Sequence, residues 1–231
     1  MKKNKVRFVA KHEEMLDLDY VLPQPAENFI PDWFSKVPNF VVEENTTLLK
    51  RATTKSCPSF SDTFKEGFII PAPCDIWLKV NDDGGWAWQT NNSYVECEIH
   101  HNDLMVNYLP KSSNVRQVFK LMLPFTIHTP KGVWIRQVPM FWNYNTDFHI
   151  AYGQFNTNKV HQVNLQIHYT SDKDEILIKQ GTPLGQYVPF RKEKFDIKLV
   201  KQNKKYKLEE GKYLWRVTSR FKGGYYHNLR D

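Results

Sequence analysis

The chain has 231 residues, 41% of them hydrophobic and 14% aromatic, which is enough to bury one large core and excludes disorder over most of its length. No apolar run approaches the roughly 20 residues that cross a bilayer. The start, Met1-Lys-Lys-Asn-Lys-Val-Arg-Phe-Val-Ala10, lacks the apolar centre of a secretion signal, so the expectation is a protein that stays in the cytoplasm where it is made, with no membrane partner.

The net charge is +7, and it is unevenly spread: residues 1 to 190 hold 19 basic against 20 acidic side chains, whereas residues 191 to 231 hold 13 against 5. An electrostatic partner should therefore meet the C-terminal segment first. The cysteines Cys57, Cys74 and Cys97 are odd in number and have no CxxC spacing, which argues for free thiols rather than a disulfide framework or a zinc knuckle.

In chain order, Val6 to Ala10 reads as a first strand and Lys11 to Tyr20 as a short helix or loop. The Pro-rich stretch from Pro23 to Pro38 leaves room for about one helical turn around Asp32-Trp-Phe-Ser, with Pro31 suited to its start. This segment is expected to wrap the outside of a domain, pinned by Trp33 and Phe34; its other reading is an aromatic docking motif for another subunit. Ser61 or Asp62 is expected to cap a short helix ended by Gly67. Phe68-Ile-Ile70, Asp75 to Val80 and Trp86 to Thr90 follow as strands, the last two joined by the hairpin turn Asn81-Asp-Asp-Gly-Gly85. A calcium reading of Asn81, Asp82 and Asp83 fails because the closing Glu of a calcium loop is missing.

Val95, Cys97 and Ile99 alternate with polar residues, the period-two pattern of a half-buried strand. The organising run then extends from Val115 to Leu199: Arg116 to Leu123, Pro124 to Gly132, Val133 to Val138, Val160 to Tyr169, Glu175 to Lys179 and Leu184 to Phe190, cut by Pro and Gly turns. In Val160 to Tyr169 the apolar set is Val163, Leu165, Ile167 and Tyr169, which leaves Gln162, Asn164, Gln166 and His168 on a polar face that is either solvated or covered. Lys194-Phe-Asp-Ile-Lys-Leu-Val200 reads as a last strand.

Many short strands at regular spacing, without long helical periods, predict an all-β fold, an antiparallel β-sandwich of jelly-roll type. The expected organisation is an N-terminal strand and Pro-rich wrap over residues 1–50, a β-sandwich core over 51–200 and a basic aromatic extension over 201–231. In that extension Lys201, Lys204, Lys205, Lys207, Arg216, Arg220 and Lys222 interleave with Tyr206 and Trp215. Cations neutralise phosphates while aromatics stack on bases, so these residues form a candidate polyanion site for single-stranded nucleic acid. The competing reading is a packing arm whose lysines stay solvated.

Chemistry has fewer footholds. His101-Asn-Asp103 has the H-x-D form of an iron-binding pair, with His149, His161 or His168 as a third ligand, and that would leave open positions for oxygen and substrate. Serine elbows, Cys–His pairs, Gly-rich phosphate loops and a cupin spacing are all missing, and no other cofactor is expected. His101, Asp103 and His168 are therefore carried only as the alternative metal set.

Three blocks, Lys120 to Gly132, Ile178 to Arg191, and Lys55-Ser-Cys-Pro-Ser-Phe-Ser-Asp with Gly67-Phe-Ile-Ile-Pro, resemble a family of uncharacterised proteins of large tailed bacteriophages, over roughly residues 31 to 198. The resemblance implies a phage setting and a β-sandwich, with no activity to transfer. The favoured expectation is then a non-enzymatic virion-associated or accessory phage protein. It would act by binding other phage proteins or itself as a homo-oligomer, in the host cytoplasm or in the virion. The alternative is a non-haem iron oxygenase on a similar sandwich.

Overall fold

The computed structural model describes residues 5–18, 21–42, 50–202 and 204–208. They form strands β1 (Arg7–Ala10), β2 (Gln24–Pro25), β3 (Phe40–Val42), β4 (Lys50–Ala52), β5 (Phe68–Pro71), β6 (Ile76–Val80), β7 (Trp86–Thr90) and β8 (Cys97–His100). The second half continues with β9 (Gln117–Met122), β10 (Phe125–His128), β11 (Val133–Pro139), β12 (Phe148–Ile150), β13 (Gly153–Phe155), β14 (Asn164–Tyr169), β15 (Glu175–Ile178) and β16 (Pro183–Arg191). Two short helices, α1 (Asp32–Lys36) and α2 (Pro58–Thr63), interrupt the first third.

The strands pair antiparallel in sheets of order β13-β11-β16-β5-β2, β12-β14-β9-β8 and β15-β6-β7, with two-stranded ribbons β1-β10 and β3-β4. This is the expected jelly-roll-like β-sandwich. The alternation that marked the strands decides what they bury: along β14, Leu165, Ile167 and Tyr169 are each fully buried. They join Phe119 and Leu121 of β9, Ile76 and Leu78 of β6, Ile135 of β11 and Tyr187 of β16 in one core. At about 25 cal/mol per Å² of apolar surface, side chains of this kind contribute roughly 1.5–3 kcal/mol each.

A polar chain crosses that core. The fully buried Tyr187 hydroxyl donates to Gln137 Oε1 at 2.7 Å, and Gln137 Nε2 donates to the Ala151 carbonyl at 2.7 Å, which ties β16 and β11 to the end of β12. Burial pushes the Tyr187 phenol far above its usual pKa, so it stays a donor. Tyr187→Phe should cost about 1–2 kcal/mol in urea unfolding, because it strands the buried Gln137 oxygen; a change near zero would mean that this oxygen finds another donor.

Several local expectations need correction. The helix near Ser61 is capped by neither Ser61 nor Asp62: it starts at Pro58, whose missing N–H and fixed φ suit the first helical position, with Cys57 as the cap residue. The last strand expected over residues 194–200 is absent, for these residues take no regular structure and Ile197 and Leu199 are 95% and 96% exposed. Their alternation has no partner strand among the described residues, and an unpaired ribbon gains nothing from its pattern. The chain divides into two compact units, Met1–Lys192 and Glu193–Asp231. As expected, the cysteines are free; burial pushes the Cys74 thiol up to about 11 and Cys97 to about 12, far from reactive thiolates. Among the described residues no helix is long and apolar enough to cross a membrane.

Candidate ligand pocket

Pro139 ends β11, and the chain then turns through Phe141–Asn143 before β12 begins. That connection is pinned from the N-terminal wrap: the Trp33 indole N–H donates to the Trp142 carbonyl at 2.8 Å. Phe34 packs on Phe64 with ring centroids 4.6 Å apart and Phe60 on Trp142 at 4.8 Å. Trp33 and Phe34 thus anchor the wrap on its own domain, and the aromatics hold the connection open as a wall.

Tyr144 follows with φ +49°, a left-handed conformation uncommon for a bulky residue, and its side chain is 67% exposed. Asn145 closes the turn by accepting from the backbone N–H groups of Asp147 at 2.9 Å and Phe148 at 3.3 Å. Backbone strain held at a rim by such a turn is a mark of functional sites.

Between this connection, β12 and the start of β16 lies a cavity of about 440 Å³. Its walls include Met140, Tyr144, Phe148 and Leu184, with Asn143, Thr146, His149 and Thr182 as polar groups and, among the described residues, no Lys, Arg, Asp or Glu. A smaller cavity of about 60 Å³ adjoins it, sharing Pro139, Met140 and Asn143 and reaching Phe64 and Trp142. β12 is an edge strand, hydrogen-bonded only to β14 within its sheet, and its Phe148 and His149 line the cavity. Desolvation lowers the pKa of His149, which keeps its imidazole neutral at pH 7.

The residues singled out for metal binding are not brought together. His101 and Asp103 are exposed, and Asp103 accepts from the Asn107 amide at 2.7 Å. His168 instead lies 7% exposed within its sheet, and among the described residues no three His, Cys, Asp or Glu side chains are placed to hold a metal ion. His161 stacks on His128 with centroids 3.9 Å apart and its Nδ1 lies 2.8 Å from the Thr157 carbonyl, a structural pairing. His149 alone among these candidates lines the cavity. Lys201, Lys204, Lys205, Tyr206 and Lys207 are exposed, the last four within a helical turn over residues 204–208. Trp215, Arg216, Arg220 and Lys222 lie outside the described residues.

No family model and no curated protein matches the chain. Solved structures that resemble it include the dUTPase of Staphylococcus bacteriophage 80alpha with dUPNHPP, at 9% identity and a TM-score of 0.39, covering 88% of this chain and 91% of that one. The dUTPase of phage phi11 of S. aureus is 12% identical with a TM-score of 0.35, over 70% of this chain and 94% of its own. The EIAV dUTPase is likewise 12% identical with a TM-score of 0.35, over 61% and 87%.

The expectation is a non-enzymatic virion or accessory protein of an uncharacterised phage family, and these structures do not match it: all three are named dUTPases. At such low identity and TM-score no residue role is carried from these structures to this chain. The pocket escapes a reading of the sequence because connection residues, not strands, build most of it; the one signal is the polar turn Asn143-Tyr-Asn-Thr-Asp147 between apolar strands.

Proposed function

We propose that this protein binds an uncharged small molecule with an apolar ring and a hydrogen-bonding edge in the cavity beside β12. The observation that carries this reading is a space of about 440 Å³ whose lining, among the described residues, has amide, hydroxyl and neutral imidazole groups but no charged side chain. Its size falls in the range of roughly 300–1,000 Å³ typical of small-ligand sites, with apolar walls and a few polar groups that fix orientation. A charged ligand would lose its hydration and meet no counterion there.

The test is a binding panel on the full chain, read by Trp fluorescence and thermal shift, in which each uncharged heterocycle is paired with a charged derivative. Deoxyuridine and dUTP belong in it because the resembled structures are dUTPases. Uncharged members are expected to bind better than their charged partners by about tenfold or more, equivalent to about 1.4 kcal/mol. Tyr144→Ala should weaken binding by a similar factor without lowering the melting temperature, since the side chain is 67% exposed. Equal binding of charged partners, or indifference to Tyr144→Ala, would reject the reading.

A further inference from the structure

Three histidines from separate strands stand in one line across the sheet β12-β14-β9-β8. His149 pairs with His168, His168 pairs with Val118, and Val118 pairs with His100. Directly paired residues project from the same face of a sheet, so the three imidazoles share one side. The rings of His149 and His168 meet edge to face with centroids 5.0 Å apart. His168 is only 7% exposed, and its Nε2 has no hydrogen-bond partner; the Nδ1 of His100 is likewise buried without one.

Every titratable group around this row bears on what a proton would do there. From β12 it is faced by His149, from β8 by His100 and, across β9, by Lys120, with His101 next in the chain. Asp147 precedes β12 and Glu98 stands on β8. Asp147 accepts from the Ser171 hydroxyl at 2.7 Å and pairs with Lys173 at 3.0 Å, while Glu98 lies opposite Lys120. A proton on His168 would therefore sit buried among groups of its own sign. The row does not provide three ligands for a metal ion.

We propose that the histidine row is an acid-sensitive latch: while neutral it holds the edge strand β12 on β14, and when it takes up a proton β12 separates and the cavity that β12 lines opens. The weak point is β12 itself, which is three residues long and paired on one side only; its release uncovers the His168 ring that His149 packs against, and Phe148 and Ile150 leave the core with it. Desolvation, reinforced by His149 and His100, lowers His168 from 6.5 to about 4. A histidine depressed in the folded state binds fewer protons there than in the opened or unfolded chain. Its contribution is complete above pH 6.5, fades as pH falls below that value, and is fully lost below about pH 4.

The consequence for a ligand rests on the pocket reading above, but the latch is tested without one. In the full chain with labelled histidines, NMR should show His168 still neutral at pH 5, and the amides of Ala151 and Thr170, which donate across the β12–β14 pair, should lose protection against exchange. From pH 7 to pH 4.5 the closing equilibrium should weaken by about 50-fold from this one residue. His168→Gln, which cannot titrate, should remove most of that slope, while β5–β16 amides in the wild type change much less. A folded-state His168 titrating near 6.5, or exchange that rises equally in every sheet, would overturn the latch. If His168→Gln does not fold, the wild-type titration alone decides. Loss of ligand affinity at acid pH with the latch intact would instead count against the pocket reading.

Discussion

Gly67→Ala is expected to destabilise the protein by about 4 kcal/mol. Gly67 has φ +73°, where an L-residue pays roughly 1–2 kcal/mol. The added Cβ would also overlap the Tyr187 carbonyl oxygen and lie 3.0 Å from the Tyr187 carbonyl carbon and 3.1 Å from the Val188 Cα, all backbone atoms of β16. That strand is hydrogen-bonded on both sides, to β11 and β5, so it cannot yield. Gly67 is held from its own side as well, its carbonyl accepting from Ala26 N–H at 3.1 Å. Gly84 separates the two contributions. Its φ is +84°, nearly the same, but nothing lies within 4 Å of its added Cβ, so Gly84→Ala should cost only about 1–2 kcal/mol. Urea midpoints of the two variants, compared at equal m-value, measure the difference; equal losses would mean that the approach to Tyr187 relaxes freely.

Gly67 also illustrates what a sequence can and cannot reveal. In the sequence it reads as the end of a helix, because Gly follows helices so often, and its real partner, Tyr187, is far along the chain. Strands are legible wherever one face is buried, since Val163, Leu165, Ile167 and Tyr169 each reach the core and spacing alone reveals it. The same rule misreads residues 194–200, because alternation reports a face that could be buried and not the partner that buries it. The histidine row fails for the opposite reason. His100, His149 and His168 have no local pattern, and only the register of three strand pairs brings them into line, whereas the local tripeptide His101-Asn-Asp103 stands out and leads to exposed side chains. Alternation does place His168 on the correct, polar face of β14; what covers that face is a tertiary fact.

The pocket shows the same division between local and tertiary information. Trp33 and Phe34 are expected to pin the Pro-rich wrap, and they do, yet the surface they pin is the connection carrying Trp142 and Tyr144. Aromatic content predicts an anchored segment without predicting that the anchor frames a cavity. An uncharged lining is also invisible in a sequence that is 25% charged overall, because it depends on which side chains the fold turns elsewhere.

Arg116→Ala is expected to cost about 3 kcal/mol, and the reason lies in backbone carbonyls more than in salt bridges. Its guanidinium donates to the carbonyls of Ser171 at 3.1 Å, Lys173 at 2.9 Å and Val80 at 2.7 Å, joining the turn after β6 to the turn before β15. It also reaches Asp82 at 3.1 Å and Asp174 at 3.8 Å, but those carboxylate side chains are 98% and 68% exposed. Exposed pairs of this kind contribute roughly 0–1 kcal/mol, whereas charge-assisted bonds from a side chain that is 22% exposed are each worth about 1.5–3 kcal/mol. Asp82→Ala should therefore change stability by less than about 0.5 kcal/mol. Arg116→Lys should recover little, because an ammonium cannot span three carbonyls that a planar fork reaches together. Raising salt to about 0.5 M screens exposed pairs and should leave most of the gap between wild type and Arg116→Ala in place. If salt instead closes that gap, or Asp82→Ala costs as much as Arg116→Ala, the ion pairs hold the two turns and the carbonyl bonds do not.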